Sequence, residues 1–330
     1  MGAPISVKRR RATSVGLAAL LAAFGGVALA QAWPAKPVRL IVPFPPGGGN
    51  DVIARAVAQK LGERLGQAVV VENRAGANGI VGLQALMQAA ADGHTIAVGA
   101  AGPLAVNPGL YDKLPYDPLK DFAPITNMVN FPLLLVTHPS VAAKNTRELV
   151  ALAKAQPGRL HYSSPGSGNS GHLAGELFNT MAGVKTLHVP YKGQGPALTD
   201  LIAGQVQMLY SSIPSVLPHV RQGQLNAIAV GSAKRVPSLP EIPTIAESGV
   251  PGYEAYSWVG MIAPAGTPRE VITRLHREIV DILKQKDVAE KLGGQGALPV
   301  GDTPEQFAAY IRAEIDKWGA VVRSSNIKVD

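Results

Sequence analysis

The chain has 330 residues, with 31 Lys and Arg against 23 Asp and Glu, for a formal charge of +8. Four of the positive charges, Lys8, Arg9, Arg10 and Arg11, fall in an N-terminal leader; the +4 left over includes no basic run interleaved with aromatics, so nucleic acid is not an expected partner. The absence of cysteine excludes disulfide staples, thiolate catalysis, cysteine-held metals and a cysteine-linked lipid anchor, while about 300 residues suffice for two domains with real cores.

The leader pairs its basic residues with an apolar run from Val15 to Leu29, too short to span a bilayer comfortably. Ala28-Leu29-Ala30 offers cleavage before Gln31, and Ala30-Gln31-Ala32 before Trp33. Residues 1–32 are therefore read as an export signal, and the remainder of the chain as a soluble periplasmic protein that is not lipid-anchored.

Beyond the leader, apolar strands alternate with helical patterns, which indicates an α/β protein with parallel sheets. Val38 to Val42 reads as a buried strand, Pro43 to Gly49 as a glycine-rich loop, and Asn50 as the N-cap of a helix. This strand, loop and helix N-terminus form an anion site made of main-chain N–H groups, and no Lys-Ser or Lys-Thr comes after the glycines to make it a Walker cradle. Asp51, in the first helical turn, is expected to favour the dipole and tie the loop down. Further strands are read at Ala68 to Asn73 and His94 to Gly99, with a helix between them at Gly79 to Ala91. An irregular stretch from Asn107 to Ala123 comes next.

Phe131 to His138 reads as a strand crossing into a second domain, and Ser257 to Pro264 as the return. The division expected is 33–133 with 256–330 as one domain and 134–255 as the other. Asn145 and Glu148 are spaced as a helix cap with its reciprocal acid. The strand Leu160 to Ser163 opens into a second small-residue loop, Ser164 to Gly171, and then a helix from His172 to about Met181. Further strands are expected at 187–191, 206–210 and 225–230. Thr267-Pro268-Arg269-Glu270 and Asp302-Thr303-Pro304-Glu305 read as starts of C-terminal helices, with Phe307, Ile311, Ile315 and Trp318 as core.

Gly166-Ser167-Gly168-Asn169-Ser170-Gly171 fits a dinucleotide fingerprint, but the segment near position 186 carries no acid for a ribose and Pro165 sits in the turn, so no cofactor is expected. The seven histidines show no metal-binding spacing. No G-x-S-x-G elbow is present. A hydrolase using Ser167 or Ser170 with His172 is the rival reading, against which His172 simply orders its loop; a sensory binding protein is a third.

Five segments in order carry a resemblance: Val42 to Asp51, Glu72 to Gly79, Ser170 to Phe178, Val189 to Gly193, and Ala263 to Pro268. From about Trp33 onward the chain resembles the substrate-binding proteins of tripartite tricarboxylate transporters, the Bug or TctC-like family. The resemblance implies a two-domain periplasmic-binding-protein fold with two crossover strands and a ligand cleft between domains. It implies a monomeric, non-enzymatic protein that hands a small carboxylate to a permease of one large and one small subunit. It places ligand contacts at Phe44, Pro46, Gly47, Gly48 and Asn50 in the first loop. In the second loop they fall at Ser164, Ser167, Gly168, Asn169 and His172, with Gly99, Ala101, Tyr191 and Ser211 as further wall positions.

Overall fold

The computed structural model describes residues 1–2, 33–294, 296–325 and 327; the expected export signal lies almost wholly outside them. Among the described residues no helix is long and apolar enough to cross a membrane. The chain divides into a unit spanning Met1–Ala35 and one spanning Lys36–Asp330, and the second of these holds the fold.

Two sheets share one strand. In the first, β2 (Val69–Asn73), β1 (Val38–Val42) and β3 (Thr95–Ala100) lie side by side and parallel, followed by the antiparallel strands β9 (Tyr256–Pro264) and β4 (Phe122–Thr137). In the second, β6 (Leu187–Pro190), β5 (His161–Ser164) and β7 (Met208–Ser212) repeat the parallel arrangement, with β4 again antiparallel beside β7 and β8 (Asn226–Val230) on its other side. A two-residue strand, β10 (Leu298–Pro299), also pairs with β4. Strand β4 runs for 16 residues, pairing with β9 as far as Pro132 and with β7 from Leu133. The strand expected at 131–138 is thus the second half of a longer one. Its first half reads ambiguously because prolines and asparagines interrupt the apolar run.

The parallel strands of both sheets have the same 2-1-3 order, so the chain reverses direction across the sheet between β1 and β3, and again between β5 and β7. Ligands of open α/β sheets bind at such reversals, beyond the carboxyl ends of the strands. The helices opening there are α1 (Gly49–Leu65) after β1 and α5 (Ser170–Ala182) after β5. Among the described residues the other α-helices are α2 (Ile80–Met87), α3 (Asn107–Leu110), α4 (Thr146–Ala155), α6 (Gln194–Ile202), α7 (Ile213–Arg221), α8 (Arg269–Leu283), α9 (Lys286–Gly294) and α10 (Pro304–Ser324). One apolar core takes in residues from both sheets and from the C-terminal helix, among them Ile41, Leu135, Tyr162, Trp258 and Phe307.

The expected cap at Asn145 forms, its side chain accepting from the Glu148 N–H at 3.0 Å. Thr303 caps α10 with a reciprocal Gln306 contact. Two other starts differ. Helix α8 begins after Pro268 with no side-chain cap, because the Thr267 hydroxyl donates back to the Pro264 carbonyl at 2.8 Å. Helix α1 begins at Gly49, with Gly48 in the cap position, so Asn50 is its second residue and its side chain is not spent on capping.

Candidate functional site

The loop after β1 is held from below by a buried carboxylate. Asp51 accepts the Gly47 N–H at 2.9 Å, the Asn73 amide at 2.8 Å and the Arg55 guanidinium at 2.9 Å. Burial pushes its pKa up, but the hydrogen bonds from Arg55, Gly47 and Asn73 outweigh that and hold it down to about 2. Asp51 therefore stays ionised and ties the loop to its helix, as its place in the first turn leads one to expect. Gly47 adopts φ +82°, a left-handed turn that a side chain would strain. With no side chain capping α1, the first-turn N–H groups of Gly49, Asn50 and Asp51 have no intrahelical acceptor.

The second loop is built differently. Asn169 caps α5, its Oδ1 accepting from Gly171 N at 2.8 Å and His172 N at 3.1 Å. Its amide nitrogen donates to the Gly166 carbonyl and the Ser164 hydroxyl. The Gly168 N–H donates to His172 Nδ1 at 3.0 Å. Most polar groups of this loop are thus satisfied within it, and its helix is capped by a side chain, while the helix that follows the first loop has no side-chain cap. The likeness of the two corners in sequence hides this difference.

Beneath the second loop two imidazoles stack. His172 and His188 lie 3.6 Å apart between ring centroids and 9° from parallel. Burial pushes both down to about 4, and for His188 the neighbouring His172 adds to it, so both rings are neutral near pH 7. His188 Nε2 sits 2.6 Å from Ser164 Oγ. That pair has hydrolase-like spacing, but Ser164 is fully buried, and neither the Ser167 nor the Ser170 hydroxyl hydrogen-bonds to His172. His172 orders its loop.

The two loops meet over a cleft formed by two adjoining cavities. A deeper one of about 170 Å³ is lined by Phe44, Asn50, Asn78 and Ala100–Gly102 on one side and by Gly168, Asn169, Ser170 and Leu173 on the other; Val106, Tyr256, Ser257 and Trp318 close it. A wider one of about 400 Å³ shares Asn50, Asn169, Ser170 and Ser257 and adds Gly49, Gln194, Ser211, Ser212 and Ser215. Among the described residues no Asp, Glu, Lys, Arg or His lines either. The chemistry on offer is hydroxyl, carboxamide and main-chain N–H against an aromatic wall.

Of the residues singled out from sequence, Phe44, Asn50, Ala101, Gly168, Asn169 and Ser211 line this cleft. Pro46, Gly47 and Gly48 form the exposed turn behind Phe44 and line neither cavity. Gly99 packs inward, since a Cβ there would lie 2.6 Å from Leu104. Ser164 and His172 support the second loop from beneath, and Ser167 is exposed without lining either cavity. Tyr191 comes after β6, an edge strand away from the reversal, and its hydroxyl bonds Asp200 at 2.7 Å.

Sequence reading missed Asn78, Ser257 and Trp318 as wall residues. Trp318 has the helical spacing of a core residue and is one, only 2% exposed. Its indole also faces the deeper cavity, held by the Nε1–H donating to Glu314 at 2.8 Å. Glu314 also accepts from Trp258 Nε1 at 3.0 Å, joining α10 to β9. Asn78 lies in the Glu72 to Gly79 segment, where glycine punctuation signals only a turn.

The TctC profile, described as tripartite tricarboxylate transporter family receptor, matches residues 53–327. Protein BugT of Bordetella pertussis is 40% identical over 316 residues, covering 96% of this chain and 97% of its own. Among solved structures, Rpa4515 of R. palustris with adipate superposes with a TM-score of 0.75 at 38% identity, covering 90% of this chain and 99% of that one. MatC of Rhodopseudomonas palustris with bound malate gives 0.71 at 33% identity, covering 88% of this chain and all of the other, 100%. These likenesses accord with the paired sheets, the shared crossing strand and the uncharged cleft: the chain belongs to the TctC family of tripartite tricarboxylate transporter receptors, solute-binding proteins of two-domain periplasmic-binding-protein fold.

Proposed function

We propose that this chain is exported to the periplasm, captures a small carboxylate in the cleft between two lobes, and delivers it to a two-subunit tripartite tricarboxylate permease. The lobes we assign are 33–133 with 256–330, and 134–255. The observation that carries the reading is the open N-terminus of α1, whose free amides border an uncharged cleft faced by Asn169 and Ser170. A carboxylate there gains charge-assisted hydrogen bonds of about 1.5–3 kcal/mol each, strengthened by the helix dipole. Ligand touching both lobes favours the closed arrangement by its differential contacts, which is the signal a permease can read. Adipate and malate, bound by the two R. palustris relatives, support a carboxylate of four to six carbons. The ligand contacts we assign are Phe44, Asn50, Ala101, Gly168, Asn169 and Ser211, with Gly49 and Ser170 added from the cleft walls.

Position 49 offers a clean test. Gly48 has the extended backbone (φ −74°, ψ 165°) that a following proline requires, and a Cβ at Gly49 meets nothing within 4 Å. Proline is favoured at the first helical position and lacks the N–H. Gly49→Pro should weaken binding of the best acid in a C4–C6 carboxylate panel by about tenfold or more, measured by calorimetry, without lowering the melting temperature. Unchanged affinity would remove the amide site. Failure of every acid to bind or to raise the melting temperature would remove the carboxylate reading itself.

A further inference from the structure

We infer that Lys317 is a positioning residue for ligand capture. It clamps the peptide between Glu254 and Ala255, where the chain passes from one lobe into the other, and so sets how much of the ligand-free protein holds the cleft in its binding arrangement. The inference rests on the two-lobe reading proposed above. The Glu254–Ala255 peptide lies immediately before β9 and is held from both sides. Its N–H donates to the Gly231 carbonyl at 2.8 Å, and its carbonyl accepts from the Lys317 ammonium at 3.2 Å. Gly231 belongs to the lobe 134–255, and its own N–H donates to the Leu133 carbonyl on β4 at 2.7 Å. The two crossing strands are thus joined through Gly231, and the approach is close. A Cβ there would lie 3.0 Å from the Ala255 carbonyl oxygen and 3.4 Å from that of Leu133. Lys317 comes from α10, in the lobe that holds 256–330. One peptide plane therefore carries a hydrogen bond from each lobe, and turning one lobe against the other about this plane breaks one of the two.

Lys317 is itself fixed by what surrounds it. Its ammonium pairs with the Glu314 carboxylate and lies 4.5 Å from the centroid of the Trp318 ring. Glu314 is 3% exposed, and its other oxygen accepts from Trp318 Nε1 at 2.8 Å and Trp258 Nε1 at 3.0 Å. Trp318 is a wall of the deeper cavity, and Trp258 lies on β9. One buried carboxylate thus connects the cavity wall, a crossing strand and the clamp on the hinge peptide. Helix α10 also packs against α5, whose Leu173 lines the same cavity. A ligand that fills the cavity rests against the indole that Glu314 holds, so occupancy and hinge angle are coupled. Coupling of this kind is reciprocal: a looser hinge must hold the ligand less tightly. Lys317 acts without touching the ligand, since it lines neither cavity.

The test compares the native protein with Lys317→Arg and with the double variant Lys317→Met, Glu314→Gln. In the double variant no buried carboxylate is left unpaired, and the carboxamide oxygen can still accept from both indoles. Against the best acid of the C4–C6 panel, the double variant should bind about fivefold more weakly by calorimetry, as expected if the binding-competent fraction falls to about a fifth. Solution X-ray scattering should show it larger than the native protein when ligand-free and equal to it at saturating acid. Lys317→Arg, whose guanidinium can donate to both acceptors, should match the native protein within about twofold. A double variant with native dimensions when ligand-free, or with native affinity, would overturn the clamp whatever its melting temperature; so would a Lys317→Arg variant as impaired as the double one. If the native protein bound no acid, the carboxylate reading would fall, and the ligand-free scattering would still decide the clamp.

Discussion

Asp51 shows how one buried side chain can shape a whole loop from beneath. Its carboxylate gathers Gly47 N–H, Asn73 and Arg55 and so fixes the turn from which the open amides emerge. Asp51→Ala would leave those donors unpaired, and urea unfolding should show a loss of about 2–3 kcal/mol. Because its folded pKa is depressed to about 2 from 3.8, its contribution is complete above about pH 4 and disappears as the pH falls through 2. The stacked imidazoles act over a higher range. His172 and His188 have folded values near 4 against 6.5, so the fold favours their neutral forms. Stability should be complete above about pH 6.5 and fall progressively toward pH 4, by roughly 3 kcal/mol for His172 alone. Urea midpoints recorded across that interval give the check; a flat profile would mean the rings protonate without disturbing the loop above them.

At the scale of elements, the loop after β1 depends on how closely α2 presses on the end of β1. A Cβ on Gly82 would lie 2.8 Å from the Pro43 Cα and 2.9 Å from the Arg74 carbonyl, both main-chain atoms that cannot swing aside. Gly82→Ala gains helix propensity of about 1 kcal/mol but must push the helix off the strand, at about 1–3 kcal/mol. We expect net destabilisation in thermal melts, together with weaker ligand binding because Pro43 leads directly into Phe44. A variant as stable as the native protein would show that α2 shifts freely. The same scale explains which wall residues were legible. The β1–α1 and β5–α5 corners could be read from glycine spacing, since a tight strand-to-helix turn needs residues free of Cβ strain. Ala101 could be read from lying just past the end of β3, and Ser211 from lying in the last residues of β7, both at the reversal. Asn50 was read both as a cap and as a cleft residue; Gly48 takes the cap position instead, and Asn50, the second residue of α1, lines the cleft.

For the whole molecule, the shared strand β4 and the apolar core spanning both sheets bind the two lobes into one folding unit. Unfolding should therefore be a single calorimetric transition with equal calorimetric and van't Hoff enthalpies. Two resolved transitions would show that the lobes melt separately despite the strand they share. The α/β class, the two small-residue corners, the second half of the crossing strand β4 and, through five ordered segments, the family could all be read from the residues alone, because they rest on local periodicity and turn chemistry. Which residues face the cleft could not, because that depends on packing between distant parts of the chain. Trp318, Ser257 and Asn78 come to it from segments far apart in sequence, and Asn78 is hydrogen-bonded to Asn107 across a contact that no local pattern encodes.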